Sequence, residues 1–401
     1  MKKHILLLGG RTEIYELAKK YHFSITLFQE KNWMNAKDYD LVDRVIHAPI
    51  DADYLVKIAK ILNEETPFDI VLCFLEAGLL NAAKIKEDLG ILGNSLFPVE
   101  VTRRKHKMRA FLEEKEIANI PYSLVSNEED VESFISKYDY PIILKPSIGS
   151  GSRQIHKIYS YKEISPSLKS IYSQYPDTKI IAEKFIDGYE ISVEGFSWNS
   201  QHKIIGITLK HTTGYPYFVE TSHEFPAQLS PSINEKVENL VYNFLKTINH
   251  VNGPSHTEII ISNSMPHIIE SHTRTGGDYI YELVENVTGF NFFDETFKSF
   301  ADSKYSIDNI KLNTGGFSII KYFSLEEGTV IEIKNNIKIE EFDNVYRYEL
   351  NVQKNQKTKK FKNSEERYGY VIGHGKNLES LTSEIDSVIS LIKNNVIIQE
   401  A

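Results

Sequence analysis

The sequence predicts a protein of mixed α/β and α+β class whose N-terminal part is a doubly wound sheet domain. Three observations indicate this class. Near the N-terminus, short apolar runs alternate with helical spacing of apolar residues, which is typical of a parallel sheet covered by helices. In the middle of the chain, a loop rich in Gly and Ser follows an apolar run that ends in lysine. Further on, two β-branched runs flank a turn-forming cluster and predict a hairpin.

The composition excludes several classes of protein. With 401 residues, 41% hydrophobic and 25% charged, the chain is typical of a globular protein with a large core. Its 46 basic and 55 acidic residues give a formal charge of −9, so neither nucleic acid nor a membrane surface is an expected partner. The single cysteine, Cys73, lies in an apolar run and is expected to be a buried thiol. No stretch resembles a signal peptide or a membrane span, so the expected location is the cytoplasm.

The N-terminal unit, residues 1–98, is predicted to alternate strands and helices. Its elements are strand 4–10, a helix through Ile14, Leu17 and Ala18, strand 24–28, helix 51–62 and strand 68–74. Glu76 follows the carboxyl end of the last strand, where such sheets bind ligands, so it is a candidate substrate residue. Helix capping is the alternative role. The glycines after the first strand do not complete a G-x-G-x-x-G pattern, so no dinucleotide site is predicted.

The next unit, residues 99–182, is predicted to carry a phosphate site. A helix over 105–112 has regular apolar spacing. Strand 141–146 carries Lys145 near its end and runs into the small-residue loop 147–153. Backbone amides and hydroxyls of such a loop can surround a phosphate beside the lysine. A Gly/Ser loop alone is more often a plain turn, so the lysine is what favours a phosphate site.

The third unit, residues 183–305, is predicted to contain strands, a long helix and the hairpin. Its elements are strands 179–185, 191–196 and 204–210, a loop over 217–227, helix 233–248 and, after the hairpin, helix 278–288. The loop mixes an acid, a histidine and aromatic residues. Glu220 and His223 are therefore candidates for a substrate wall, and an ordinary surface loop is the alternative.

The hairpin is predicted to place two carboxylates opposite each other. If its turn centres on Ser264, Glu258 pairs with Glu270, and the pleat puts Glu270, His272 and Arg274 on one face. Opposed like charges destabilise a hairpin, which suggests that a cation lies between them. Oxygen ligands of this kind suit Mg²⁺.

The residues after the hairpin suit a phosphorylated ligand. Arg274 can form a forked contact with phosphate oxygens, and the pair Gly276–Gly277 lets backbone approach a ligand closely. Together with the two carboxylates, these residues predict a metal–nucleotide site. A surface hairpin with ordinary salt bridges is the alternative. The remaining residues, 306–401, are predicted to form a small α+β domain with strands at 316–323, 329–333 and 366–374, a final helix at 378–393 and no obvious catalytic cluster.

In this order the elements resemble the ATP-grasp superfamily, and within it the carboxylate–amine ligases that include bacterial L-amino-acid ligases. The resemblance covers nearly the whole chain. It implies an N-terminal sheet domain (1–98), a central lid (99–182), a catalytic domain (183–305) and a C-terminal domain like that of biotin carboxylases (306–401).

The resemblance implies a nucleotide role for a set of residues. Lys105 and Lys145 would contact ATP phosphates, and Ser150, Gly151 and Ser152 would belong to the flexible loop that covers them. The backbone of the hinge residues Glu183, Lys184, Phe185 and Ile186 would hold adenine, and Glu190 would bind the ribose. Gln154 replaces a common glycine and Arg104 a common acid, which bears on nucleotide affinity alone.

The resemblance also implies a catalytic centre. Glu258 and Glu270 would bind Mg²⁺, with Mn²⁺ as an alternative ion, and Arg274 would contact the transferred phosphoryl group. The implied catalytic set is Arg274, Glu270, His272 and Lys145. His272 stands where the family usually has a metal-binding asparagine, and imidazole is a poor magnesium ligand, so the number of metal ions is open.

The implied reaction is amide formation driven by ATP. A carboxylate attacks the γ-phosphorus, and an unprotonated amine then displaces phosphate from the acyl phosphate. Candidate residues for the substrates, an amino acid and an amine, are Glu76, Glu220, His223, Gly276 and Gly277. His223 or His272 would take a proton from the amine.

Three alternatives stay open at this point. A carboxylase-type relative is disfavoured because Thr275-Gly276-Gly277-Asp278 replaces the Q-V-E-H run and no A-M-K-M segment is present. A nucleotide-binding regulator with a dead site is disfavoured by the intact lysines, glutamates and arginine. A ligase that loads an amino acid onto a carrier protein is not excluded, and neither is a homodimer.

Overall fold

The computed structural model describes residues 2–117, 120–149, 151, 153–334 and 337–399. Its N-terminal elements are β1 (His4–Leu8), α1 (Thr12–Lys20), β2 (Ser24–Gln29), α2 (Ala36–Leu41), β3 (Arg44–His47), α3 (Tyr54–Glu65), β4 (Ile70–Leu72), α4 (Leu79–Leu89) and α5 (Leu96–Arg103). The strands run parallel in the order β3-β2-β1-β4. Ile5 and Leu7 share a core with α1, while Leu6 and Leu8 share one with α3 and α4. Helices therefore cover both faces, and the predicted doubly wound unit is confirmed.

The central unit is a second, smaller sheet with two helices packed on it. Its elements are α6 (Lys105–Glu114), β5 (Tyr122–Val125), α7 (Glu128–Tyr138), β6 (Ile142–Pro146), β7 (His156–Ile158), α8 (Ile164–Gln174) and β8 (Ile180–Lys184). The strands pair antiparallel in the order β5-β8-β6-β7. Buried side chains such as Val131, Leu144 and Ile171 join the helices to the sheet. The loop after β6 leaves this unit towards the large sheet.

The rest of the chain is built on one large antiparallel sheet. Its elements are β9 (Tyr189–Trp198), β10 (Gln201–Thr212), β11 (Glu220–Phe225), α9 (Pro231–Thr247), β12 (Gly253–Ser262), β13 (Met265–His272), α10 (Ile280–Thr288), α11 (Phe292–Ala301), β14 (Phe317–Tyr322), β15 (Gly328–Ile333), β16 (Val345–Leu350), β17 (Lys357–Thr358), β18 (Gly369–Gly375), α12 (Leu378–Asn395) and β19 (Val396–Gln399). The strand order is β13-β12-β9-β10-β11-β14-β18-β16, and β17-β15-β19 form a separate small sheet.

Strand β11 corrects the prediction of a loop over 217–227. Residues 220–225 pair with β10 on one side and with β14 on the other. Backbone pairing on both edges overrides the polar composition of this segment, because the sheet supplies every ladder partner. Ser222, His223 and Phe225 are consequently buried.

The hairpin of β12 and β13 is confirmed, with a different turn from the expected one. Asn263 and Ser264 both have positive φ, 48° and 60°, which is the geometry of a two-residue type I′ turn. A regular register from that turn would pair Glu258 with Ile269. A register shift next to Glu258 instead leaves Ile269 unpaired, so that Glu258 faces Glu270 as predicted.

The last part of the chain extends the large sheet instead of standing apart from it. Strand β14 pairs with β11, and β18 and β16 continue outward from there. Helix α12 packs on these strands through Leu381, Ile385 and Val388. This continuity brings residues near position 365 to the same side of the sheet as the hairpin carboxylates. None of the helices formed by the described residues combines the length and apolar character needed to cross a membrane.

Candidate active site

A polar cavity of about 260 Å³ lies where the loop after β6, the large sheet and the segment before β18 meet. Its described lining residues are Lys105, Lys145, Pro146, Gly149, Gly151, Arg153, Ile155, Glu190, Lys210, Phe218, Glu220, His223, His256, Glu258, Ile269, Glu270, His272, Arg274, Gly277, Asp278, Ile280 and Ser364. Basic and acidic side chains alternate around it. Such a lining suits a highly charged ligand better than an apolar one.

The cavity brings together many of the residues that the sequence analysis singled out. They are Lys105, Lys145, Gly151, Glu190, Glu220, His223, Glu258, Glu270, His272, Arg274 and Gly277. Glu76, Gly276 and the hinge residues 183–186 do not line it. Ser150 and Ser152 lie outside the described residues.

The paired carboxylates of the hairpin are each neutralised by a lysine. Glu258 Oε1 lies 2.6 Å from Lys210 Nζ, and Glu270 Oε1 lies 2.8 Å from Lys105 Nζ. Burial alone would raise the pKa of Glu258, but Lys210 and His256 outweigh it and hold the pKa well below its usual range. Each of the two carboxylates predicted to bind a metal thus has a lysine as its counter-ion.

The donor set nevertheless fits Mg²⁺ bound together with phosphate. Mg²⁺ usually takes one or two protein carboxylates and completes its shell with phosphate oxygens and water. Glu258 and Glu270 offer those carboxylates from neighbouring strands of one cavity. Within the described ranges, no group of three or more His, Cys, Asp or Glu side chains is arranged to hold a metal ion by itself. A metal here would therefore need a phosphorylated ligand.

Lys210 links three carboxylates and was missed by sequence reasoning. Its side chain is 3% exposed, and its Nζ lies 2.6 Å from both Glu190 and Glu258 and 3.9 Å from Glu220. Burial would lower the pKa of Lys210, but the three carboxylates raise it well above its usual value. Cross-strand pairing could have identified Lys210 in the sequence, because it lies directly opposite Glu190 in the β9–β10 ladder.

Lys145 is held by a buried ion cluster. Glu183 Oε2 lies 2.7 Å from Lys145 Nζ, and Glu183 Oε1 accepts a bond from Arg109 Nε at 2.8 Å. Burial raises the pKa of Glu183, but Arg109 and Lys145 outweigh it and leave the pKa at about 2. Burial also lowers the pKa of Lys145. The side chain of Glu183 therefore positions Lys145, whereas the adenine contact of the hinge stays a prediction.

The hinge backbone is partly committed to other contacts. The N–H of Lys184 donates to the carbonyl of Pro121 at 2.9 Å, and the N–H of Phe185 donates to that of Pro141 at 3.2 Å. The ring of Phe185 lies 3.3 Å from Lys157 Nζ. The N–H of Ile186, the next hinge residue, forms no backbone hydrogen bond with the described residues.

Glu76 organises the arginine end of the site from outside the cavity. Its Oε2 accepts from Arg274 Nε at 2.8 Å and lies 3.1 Å from His272 Nδ1, while its Oε1 lies 3.0 Å from Arg103 Nε. Burial raises the pKa of Glu76, but these three neighbours outweigh it and hold the pKa at about 2. Glu76 thus orients Arg274 and His272, while its substrate role stays a prediction.

His256 explains why residue 276 is glycine. A Cβ at position 276 would lie 2.8 Å from His256 Nδ1, so a side chain there would displace the histidine. His256 Nδ1 is 2.9 Å from Glu194, and its Nε2 is 3.4 Å from Glu258. Burial lowers the pKa of His256, but Glu194 and Glu258 outweigh it and raise the pKa to about 9. Gly276 is therefore required by the packing of His256, which contacts Glu258.

The opposite end of the cavity is built around Asp278. Arg367 makes a bidentate contact with its carboxylate, both bonds being 2.7 Å, and stacks 3.6 Å from the centre of the Tyr322 ring. His223 Nε2 lies 3.2 Å from Asp278 Oδ2. Burial raises the pKa of Asp278, but His223 and Arg367 outweigh it and hold the pKa far below its usual range.

Two residues of this end come from the part of the chain in which no catalytic cluster was predicted. Ser364 Oγ donates to Glu220 Oε2 at 2.7 Å, and Arg367 donates to Asp278. Neither residue belongs to a motif that spacing alone reveals. Their placement depends on the pairing of β14 with β11, which the sequence analysis did not foresee.

The described residues Gly149, Gly151 and Arg153 of the loop after β6 line the cavity. Lys105 Nζ donates to the carbonyl of Gly149 at 3.1 Å. The backbone N–H of Ser364 lies 3.5 Å from the carbonyl of Gly151, and Arg153 forms a 3.1 Å ion pair with Glu365. The last two contacts are long or solvent-exposed. Ser147 at the start of the loop is buried, and its N–H donates to the carbonyl of Lys179 at 2.8 Å.

We expect this loop to exchange its amide hydrogens rapidly without nucleotide and slowly with ATP and Mg²⁺. Small residues with few packing contacts open easily, and phosphate oxygens would order them. Hydrogen exchange of the segment 147–153 tests this, with the buried strand β8 as the internal control. Equal exchange in both states would contradict a lid role.

Comparison with known sequences finds similarity to the ATP-grasp domain and to carbamoyl phosphate synthases. Residues 138–282 match the family model of the ATP-grasp domain. The chain is 23% identical over 241 residues to the carbamoyl phosphate synthase large chain of Pseudothermotoga lettingae; this stretch is 59% of this chain and 21% of that protein. The chain thus spans about a fifth of the length of the curated relatives it matches.

Solved structures match over almost the entire chain. The crystal structure of L-amino acid ligase from Bacillus licheniformis superposes with a TM-score of 0.82 at 20% identity and covers 100% of this chain and 99% of that one. The biotin carboxylase domain of 2-oxoglutarate carboxylase from Hydrogenobacter thermophilus, solved with MgADP and bicarbonate, gives a TM-score of 0.70 at 16% identity over 98% of this chain and 90% of that one.

Proposed function

We propose that this chain, which has the ATP-grasp fold and contains an ATP-grasp domain, is an ATP-dependent carboxylate–amine ligase. In the proposed reaction it converts a carboxylate, with an amino acid as the expected substrate, to an acyl phosphate and couples it to an amine, releasing ADP and phosphate. The observation that carries the proposal is the convergence of Lys105, Lys145, the pair Glu258–Glu270 and Arg274 on one cavity. The similarity to an L-amino acid ligase supports the same class.

The phosphate end of the cavity would exchange its internal partners for the nucleotide. Lys105, which now pairs with Glu270, would turn to a phosphate oxygen, and Glu270 would become available to the metal. Lys145 is already positioned by Glu183, and Arg274 by Glu76. When bound, Mg²⁺ would neutralise phosphate charge and so favour attack by the carboxylate. Mn²⁺ would serve in the same role.

At the end of the cavity built around Asp278, the contacts favour His223 over His272 as the group that takes the proton from the attacking amine. The carboxylate of Asp278 is ionised and can only accept, so the facing Nε2 of His223 carries the hydrogen. In a neutral ring, Nδ1 is then the acceptor, and it is buried without a hydrogen-bond partner among the described residues. Both ring nitrogens of His272, by contrast, lie near carboxylates, those of Glu76 and Glu270.

Substitution His223→Gln is expected to lower amide formation by about 100-fold or more while ATP affinity is unchanged, because the proton acceptor is lost and the Asp278 contact is kept. The same variant should still form hydroxamate from hydroxylamine at nearly the normal rate, because that nucleophile is largely unprotonated at neutral pH. Rates with both amines provide the measurement. An equal loss with both nucleophiles would contradict the assignment and indicate a structural role.

The proposed function is tested by measuring ADP release across a panel of amino acids with and without amine acceptors, in Mg²⁺ and in Mn²⁺. The expected result is release that requires both a carboxylate and an amine, with an amide as product. Release that requires bicarbonate would identify a carboxylase-type enzyme. Release that requires a carrier protein would identify the loading reaction, and tight ATP binding without turnover would identify a regulator.

A further inference from the structure

A second, small cavity lies between the N-terminal sheet and the catalytic part, on the other side of Arg274 from the candidate active site. Its volume is about 40 Å³, and its described lining includes Cys73, Lys86, Gly93, Thr273 and Arg274. Most of this lining is apolar. None of the described residues that line it is acidic.

Lys86 gives this cavity an uncompensated positive charge. It lies in the last turn of α4, and its side chain runs along Gly93, where an added Cβ would lie 3.1 Å from Lys86 Cδ. Within the described part of the chain, Lys86 forms neither a salt bridge nor a side-chain hydrogen bond. Lys84 in the same helix, by contrast, pairs with Asp53 at 3.1 Å. Burial lowers the pKa of Lys86 to about 8. A half-buried ammonium without a counter-charge is unfavourable.

Thr273 is a second donor without a partner in the same lining. The residue is 7% exposed, and its Oγ1 is buried without a hydrogen-bond partner in the described structure. Cys73 adds no negative charge, because its thiol donates to the carbonyl of Leu75 and burial raises the pKa of Cys73 to about 12. Glu76, the acid next to Arg274, already contacts two arginines and a histidine. In the described structure, Lys86 and Thr273 are thus two donors of this lining without an acceptor.

We propose that this cavity binds a small monovalent oxyanion of the carboxylate or bicarbonate class, held by the Lys86 ammonium and the Thr273 hydroxyl beside Arg274. A water needs about 10 to 15 Å³ of such volume, so the cavity has room for about three waters or one formate-sized anion and not for a nucleotide. A carboxylate has two oxygens on one carbon and can accept from two donors. This proposal does not depend on the proposed ligase activity.

The test uses thermal unfolding of the full chain in sodium formate, with sodium gluconate added to keep ionic strength constant. Gluconate is too large for the cavity, so only formate can occupy it. The wild type is expected to show a saturable rise in Tm with formate, because a ligand that binds only the folded state stabilises it. Lys86→Met, which keeps the length of the side chain, should lose that rise and be at least as stable as the wild type in gluconate.

Lys84→Met is the matched control, because it removes an exposed lysine from the same helix. It should keep the full response to formate. Thr273→Val should weaken formate binding by about 3- to 10-fold, the value of one hydrogen bond. The absence of any formate response in the wild type, an equal response in Lys86→Met, or a loss in Lys84→Met would each overturn the proposal. Titration of ¹³C-formate followed by NMR gives the same comparison if Lys86→Met unfolds too early.

Discussion

Glu270→Gln is expected to lose ADP formation by at least about 100-fold while the protein folds normally. The substitution removes one charge from the pair that would bind the metal and changes the volume very little. Folding should be preserved because the amide oxygen can still accept from Lys105, which also donates to the carbonyl of Gly149. Steady-state ADP release and a thermal unfolding curve measure the two effects separately.

The matched control is Glu224→Gln. Glu224 lies on β11, and its one ion pair with the described residues is a 4.0 Å contact with His211, so its loss should leave turnover unchanged. Glu258→Gln should behave like Glu270→Gln, with a smaller effect. Wild-type turnover in Glu270→Gln would remove the metal assignment and leave the hairpin pair with a structural role only.

Lys210→Met is expected to cost about 3 to 5 kcal/mol of folding stability as well as activity. The substitution leaves Glu190 and Glu258 without their shared cation, and breaking a buried ion pair from one side leaves an uncompensated charge. Lys203→Met is the control from the same strand, because Lys203 donates to the carbonyl of Ile310 and forms no ion pair with the described residues. Denaturant unfolding of the two variants gives the comparison.

The loss in Lys210→Met should depend on pH in a definite direction. Burial, together with Glu258 and Glu220, raises the pKa of Glu190 even beside Lys210. A carboxyl whose pKa is raised by folding binds more protons in the folded state, so stability increases as pH falls through that pKa. Removing Lys210 raises the pKa of Glu190 further, so the variant should gain more stability than the wild type as the pH is lowered and should approach it. A difference that stays constant or widens would show that lost packing causes the destabilisation.

Local patterns were enough to predict the fold class, the resemblance to ATP-grasp proteins and the opposed glutamates. In the hairpin the predicted pairing is correct although the predicted turn position is not, because two differences from a regular hairpin cancel. Composition placed the turn at Ser264, whereas the type I′ turn is centred half a residue earlier, and the unpaired Ile269 restores the pairing of Glu258 with Glu270. The alternation of side chains was visible in the sequence, but the bulge was not.

The parts that sequence reasoning missed depend on contacts between distant segments. Lys210 faces its carboxylates only because β10 lies between β9 and β11. Ser364 and Arg367 reach Glu220 and Asp278 across more than 80 positions of sequence. The spacing of residues within one segment cannot predict a contact between two distant segments. The contacts of Glu76 with Arg274 and of Gly276 with His256 also join distant segments, and the sequence alone did not indicate them.

The most direct test of the central claim follows oxygen from the carboxylate to phosphate. With the substrate identified from the amino-acid panel and labelled with ¹⁸O in its carboxylate, attack on the γ-phosphorus and displacement by the amine must leave one labelled oxygen in the released phosphate. We predict one ¹⁸O in phosphate for each amide formed. Unlabelled phosphate, with amide and ADP formed in equal amounts, would contradict activation of the carboxylate as an acyl phosphate.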